Sequence, residues 1–397
     1  MNPRLAALQP YPFEKLRALL QGVTPNERLR PINLSIGEPK HPTPELVRRT
    51  LADTLDGLAA YPATAGTPEL REAIAGWLMR RYRLPRVDAM TQVLPVNGSR
   101  EALFAFAQTV IDPGRPGAKV ACPNPFYQIY EGAALLGGAN PVYLNAIKEN
   151  GYRARYGDLA DSVWRDVQLV YACSPANPSG SVMTLEDWST LFALADRHGF
   201  VVASDECYSE LYYDEAHPPL GGLEAAHRLG RDDFSRLIVF SSLSKRSNAP
   251  GMRSGFVAGD ASLLRSFLLY RTYHGSAMSL PVQRASIAAW NDEHHVRENR
   301  RMYAEKFAAV LPELKPPLSA YMPEGGFYLW MRTPIDDCAF ARRLQHEYNV
   351  LVLPGSYLAR MSQGLNPGKD RVRIALVAPL AECVEAIARI NDFARKL

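Results

Sequence analysis

Lys245 stands where the apolar run 237–240 gives way to Ser242, Leu243 and Ser244, and Arg253 follows eight residues later between small residues. Serine hydroxyls, a point charge and a planar fork of donors in one short segment are what an anionic phosphate needs. Most lysines after strands are solvated loop residues. Here Asn248, Pro250 and Gly251 give the flanking loop turn chemistry rather than a charged face. In NGSREAL (97–103), Gly98, Ser99 and Arg100 open a stretch of helical composition, where free N–H groups and the helix dipole also suit a phosphate. Read alone, Ser99 is an ordinary N-cap.

Three more residue types belong with these. Tyr127, in PNPFYQIY, presents a ring that can stack on a flat heterocycle, although a lone tyrosine there reads as a core aromatic. Asp205 ends the apolar run GFVVAS, where an acid is costly unless paired, and a cationic ring nitrogen would pair it. Tyr208, three residues on, can bond a phenolic oxygen, and Asn177 in SPANPSG is most simply a turn residue. Each signal is weak alone. A phosphate cradle, a ring stacker, a partner for a pyridinium nitrogen and a lysine amine together suit pyridoxal 5'-phosphate, with Lys245 as its Schiff-base lysine.

The elements that must carry these residues are apolar runs ending in polar ones. Segments 92–100, 118–125, 167–180, 199–208 and 236–245 read as strands, most followed by helical stretches. Such alternation predicts an α/β fold with a mainly parallel sheet sandwiched by helices, whose ligands bind beyond the carboxyl ends of the strands. After Pro281 a single long helix is expected over 282–314, then a smaller α+β unit: GGFYLWMR, VLVLPGS and RVRIALV as strands, CAFARRLQHEYN as a helix, and a closing helix from about Leu380. The expected division is a large cofactor-binding domain over 46–283 and a small domain formed by 1–45 and 284–397.

These residues resemble a known family. Along essentially its whole length the chain is similar to the fold-type I, class I aminotransferases, through AYPATAGTPELREAI (60–74), NGSREAL, PFYQIY, ANPSG, SDECY, SLSKRSNAPGMRSG and RVRIAL. The resemblance implies that Lys245 binds the cofactor and shuttles the proton, and that Asp205 holds the ring nitrogen protonated. It implies that Tyr208 and Asn177 bond the ring oxygen and that Tyr127 stacks. Gly98, Ser99, Arg100, Ser242, Ser244 and Arg253 would hold the phosphate, and Tyr61 would reach the phosphate of a neighbouring subunit in a homodimer with shared sites. Arg373 would clamp the substrate α-carboxylate, with Gly37 and Asn177 beside it. The implied reaction is ping-pong exchange between small-molecule amino acids and 2-oxo acids. SDECYSELY and SLSKRSNAPGMRSGFVAGD are most similar to the N-succinyl-L,L-diaminopimelate aminotransferases of lysine biosynthesis, with an aspartate or aromatic aminotransferase as the alternative. Arg28, Arg30, Arg271 and Lys15 are loose candidates for the distal carboxylates.

Other chemistries fit less of the chain. Ser242-Leu243-Ser244-Lys245 matches the S-x-x-K of serine acyl-enzymes, but Ser204-Asp205-Glu206 replaces the S-D-N partner and no K-T-G follows. GLNPGKD (364–370) lacks the spacing and hydroxyl of a phosphate loop and reads as a surface turn. His294 and His295 are adjacent, and neighbouring helical residues diverge, so no metal site is expected. The charge of +4 is spread over 45 basic and 41 acidic residues without a basic block, so nucleic acid is not an expected partner. Pro10, Pro12 and Glu14 interrupt any signal-like stretch, and no apolar run is long enough for a membrane span. Five scattered cysteines without a C-x-x-C pair read as reduced thiols, and a cytoplasmic location is expected.

Overall fold

The computed structural model describes residues 1–397. Its strands in chain order are Ile32–Asn33 (β1), Val93–Val96 (β2), Lys119–Asn124 (β3), Asn140–Asn145 (β4), Val167–Cys173 (β5), Val201–Asp205 (β6), Leu237–Ser242 (β7), Gly255–Gly259 (β8), Tyr328–Arg332 (β9), Val350–Leu351 (β10), Leu353–Pro354 (β11) and Arg371–Ala375 (β12). Seven of them form one sheet in the order β2-β8-β7-β6-β5-β3-β4. All neighbours are parallel except those of β8, which runs against both β2 and β7. Almost every residue of β2, β3 and β5–β8 is buried, as expected of a sheet covered on both faces. Trp77, Trp188 and Trp290 fill the core on one face, and Phe106, Tyr130 and Phe267 fill it on the other. Each such ring contributes roughly 2–3 kcal/mol of transfer free energy.

Two strands of this sheet were not expected. β4 lies at the edge and is only partly buried, and its Asn and Pro mask the apolar pattern. β8 hides inside the glycine-bounded stretch GFVAG. The expected helix over 282–314 is two helices, Leu280–Asn291 and His294–Val310. Asp292 breaks it: its backbone is extended, and its carboxylate caps the amide of His295 at 3.0 Å. Arg246 takes the freed carbonyls of Ala289 at 2.7 Å and Asp292 at 3.2 Å.

A second core surrounds β9, β11 and β12, an antiparallel sheet of order β11-β12-β9. The segment VLVLPGS, expected as one strand, is divided at Val352. β10 pairs in parallel with β1, and β11 pairs with β12. The helices Asp337–Tyr348 and Leu380–Ala394 pack on this unit. No helix is long and apolar enough to cross a membrane. All five cysteines are free.

Candidate active site

The strand ends converge on one cavity of about 600 Å³. Ser99 reaches it from beyond β2, Cys173 from the end of β5, Asp205 from the end of β6, and Ser244 and Lys245 from beyond β7. Lys245 is placed by a four-residue turn of helix, Leu243–Arg246, capped where Ser242 Oγ accepts from the Ser244 amide at 3.0 Å. Ser242 Oγ also donates to Ser254 O at 3.0 Å, and Ser242 does not line the cavity. Its hydroxyl is bonded within the turn, unlike the phosphate-facing hydroxyl expected from the sequence.

Lys245 Nζ donates to Gly37 O at 2.5 Å and lies 5.3 Å from the Phe327 ring. Burial lowers its pKa to about 8, with the Arg373 guanidinium acting in the same direction and Cys207 and Glu38 opposing. Gly37 is fixed as glycine by close approach: a Cβ there would fall 1.9 Å from Tyr328 Oη. Asp205 is buried, and burial raises its pKa. It accepts from Tyr130 Oη at 2.6 Å and the Cys207 amide at 3.3 Å. Such a carboxylate lacks a cation, and a protonated ring nitrogen supplies one.

At the far end, Arg253 has φ 52°, a left-handed conformation uncommon outside glycine. Its Nη1 donates to Pro250 O at 3.0 Å. Gly98, at φ 87°, faces this guanidinium so closely that a Cβ would meet Nη2 at 2.4 Å. Ser99 then begins the helix Ser99–Val110, and its Oγ accepts from Cys207 Sγ at 2.9 Å. A guanidinium and a helix N-terminus meeting where only glycine fits form a cradle of the right charge for a phosphate. Tyr127 lines the cavity, with its Oη accepting from Arg100 Nε at 2.6 Å.

On the opposite wall Arg373 is buried at 4% exposure and packs over the Tyr328 ring at 4.4 Å. Its Nη1 donates to Asn177 Oδ1 at 3.0 Å and its Nη2 to Ser35 O at 2.9 Å, while Nε has no partner. Tyr208 and Tyr328 share a hydroxyl contact of 2.9 Å. Tyr61 is fully exposed and lies outside this cavity.

Of the loose distal candidates, none lines the cavity. Arg30 pairs with Glu382 and Glu385, and Arg271 is fully buried against Glu101 at 2.7 Å. Arg28 is exposed, and Lys15 lies 6.0 Å from the Tyr357 ring. His295 spends its ring nitrogens on Asp292 and on Ser247, at 2.5 and 2.8 Å. Sequence reasoning missed Tyr130, Tyr328 and Ser35, whose chemistry depends on partners far along the chain. It also missed the lining by Tyr11, Pro12 and Phe13 at the start of the helix Pro12–Leu19.

The sequence pattern of the family described as aminotransferase class I and II matches residues 30–390. The chain belongs to this family. Like the family, this aminotransferase uses pyridoxal 5'-phosphate, which the cradle and the buried acid fit. The aminotransferase is similar in structure to an aminotransferase from Neisseria meningitidis, with 52% identity, a TM-score of 0.96 and full coverage of both chains. It is also similar to the probable N-succinyldiaminopimelate aminotransferase of Thermus thermophilus, at 27% identity and TM-score 0.85, over 96% of this chain and 99% of that one. In sequence, the LL-diaminopimelate aminotransferase of Maridesulfovibrio salexigens is 30% identical over 394 residues, 98% of this chain and 97% of its own.

Proposed function

We propose that this aminotransferase acts on a diaminopimelate-type substrate, with N-succinyl-L,L-diaminopimelate as donor and 2-oxoglutarate as acceptor. The observation that carries the reaction is the meeting of Lys245, Asp205, Arg253 and Arg373 in one cavity. The substrate class is supported by the names of the Thermus and Maridesulfovibrio relatives. It is also supported by the apolar lining at Pro12, Phe13, Ile36, Leu353 and Leu358, which suits a long methylene chain.

Bound pyridoxal 5'-phosphate supplies an electron sink that acidifies the substrate Cα–H bond and stores the amino group between half-reactions. The residues do the rest. Arg253, the Gly98–Arg100 helix start and Ser244 hold the phosphate. Asp205, held by Tyr130, keeps the ring nitrogen protonated, and Tyr127 stacks on the ring. Tyr208 and Asn177 bond the ring oxygen. Arg373 receives the α-carboxylate as a fork, with Gly37 beside it. Lys245, poised near neutrality, takes the Cα proton and returns it.

The same reading assigns 46–283 to cofactor binding and 1–45 with 284–397 to a smaller domain. It makes the protein a cytoplasmic homodimer in which the exposed Tyr61 completes the partner's phosphate site. The fully exposed Tyr61 ring and the five free thiols support this. Glu38, in the cavity lining, favours a second reading. Its carboxylate complements the free distal ammonium of L,L-diaminopimelate, which succinylation removes. Comparing kcat/KM for the two donors decides. The succinylated donor should win by at least about tenfold, a difference of about 1.4 kcal/mol. The reverse order moves the assignment to the free diamine, and aspartate exceeding both discards the class.

A further inference from the structure

Close to the active lysine lies a buried cation without an acid. Lys306, on the helix His294–Val310, is 3% exposed. Its ammonium donates to His41 Nε2 at 2.7 Å and to Val377 O at 3.4 Å, and it lies 4.9 Å from the Tyr303 ring. Burying a charge without a counter-ion is destabilising, and an apolar residue would fill this place at less cost.

Its partners lead to Lys245. With Lys306 donating to Nε2, the neutral His41 ring carries its proton on Nδ1, which donates to Asn299 Oδ1 at 2.9 Å. Asn248 Nδ2 donates to the same oxygen at 3.0 Å. That double load turns Asn299 Nδ2 onto the carbonyls of Lys245 at 3.1 Å and Arg246 at 3.5 Å. His41 Nδ1 and the Asn299 amide nitrogen each meet an acceptor. Asn299, Tyr303 and Lys306 fall at i, i+4 and i+7 on one helix face. The Tyr303 ring lies 4.5 Å from His41 and 5.3 Å from Phe327, the ring that faces the Lys245 amine. The segment carrying His41 is tied to the lysine segment at two more points. Gly37 O accepts from Lys245 Nζ at 2.5 Å, and Thr43 Oγ1 donates to Asn248 O at 2.6 Å.

We propose that Lys306, His41 and Asn299 are positioning residues for transamination: a buried relay that fixes the Lys245 backbone against residues 37–43, so that the lysine amine meets the substrate Cα–H. The relay rests on the assignment of proton transfer to Lys245. Burial lowers the Lys306 pKa to about 8, with Cys383 opposing and Lys40 assisting. Burial also lowers His41, with Asn299 opposing and Lys306 assisting. Near pH 7 His41 is therefore neutral, the state these hydrogen-bond directions require. A second charge on His41 would face the first at hydrogen-bond distance.

Lys306→Met and Asn299→Ser test this, with Lys245→Ala beside them, each loaded with pyridoxal 5'-phosphate and mixed with L-glutamate in single-turnover experiments. In both relay variants the half-reaction rate constant should fall roughly ten- to a hundredfold, with the glutamate Kd changed less than about threefold. Melting should stay within about 5 °C of the parent. Unchanged rate constants in both variants overturn the relay. So does a loss of rate matched by an equal loss of affinity and a large drop in melting temperature, which marks a purely structural role. If Lys245→Ala reacts at the parent's rate, the assignment of Lys245 fails instead; if it is inactive while the relay variants are normal, only the relay fails.

Discussion

The two walls of the cavity are built differently. On the cofactor side, Ser99, Asp205, Ser244 and Lys245 leave the ends of β2, β6 and β7, so one hydrogen-bonded sheet sets their spacing. On the side proposed for the substrate, Arg373 sits within β12 and is aimed by the Ser35 carbonyl, the Asn177 amide oxygen and the Tyr328 ring, three separate segments. The first wall is a property of backbone, and the second is a property of side chains that must find one another. Removing a cofactor-side group should therefore damage its own step alone, whereas the substrate wall should fail as a unit.

The largest effect expected is that of Lys245→Ala. Turnover should fall by more than about a thousandfold, the scale of a lost general acid–base. The Arg253 cradle and Asp205 remain, so the protein should still bind cofactor, measured as pyridoxal 5'-phosphate content after gel filtration. A variant that loses the cofactor entirely would show that the sheet-built wall does not stand without the lysine.

Arg373→Gln sharpens the contrast from the other side. A charge-assisted fork is lost, about 2–3 kcal/mol, so the KM for glutamate should rise roughly a hundredfold. Cofactor affinity should stay within about threefold, followed by fluorescence titration. Equal losses of both affinities would mean the walls are coupled.

The smallest effect is a pH dependence. The lysine must be neutral to attack a carbonyl, and burial brings its pKa down to about 8. Raising the pH therefore raises the neutral fraction, and the rate of cofactor capture by the apo protein should pass its half-maximum near pH 8 and level off above about pH 9. A rate still climbing at pH 10 would place the amine in a solvated setting.

The same contrast decides what was legible in the sequence. The parallel sheet, Lys245, Asp205 and Arg253 could be read because apolar runs end where chemistry begins, a pattern held within a few residues. The capping role of Ser242 was not legible because a cap and a ligand look identical in sequence: a serine before a short helix serves either. β8 was hidden by its glycines, and the break at Asp292 by strong helical composition on both sides. Tyr130, Tyr328 and Ser35 carried no local signal, since each is defined by a partner 75, 120 or 338 positions away. Lys306 and His41 are 265 positions apart, and no spacing rule joins them.

The most direct test of the whole account is the absorption spectrum of the purified protein, saturated with pyridoxal 5'-phosphate, as L-glutamate is added. Lysine-bound cofactor should give a visible band that bleaches as one equivalent of 2-oxoglutarate is released, and that returns when a 2-oxo acid is supplied. No visible band, or a band that glutamate and the diaminopimelate donors leave unchanged, would contradict it.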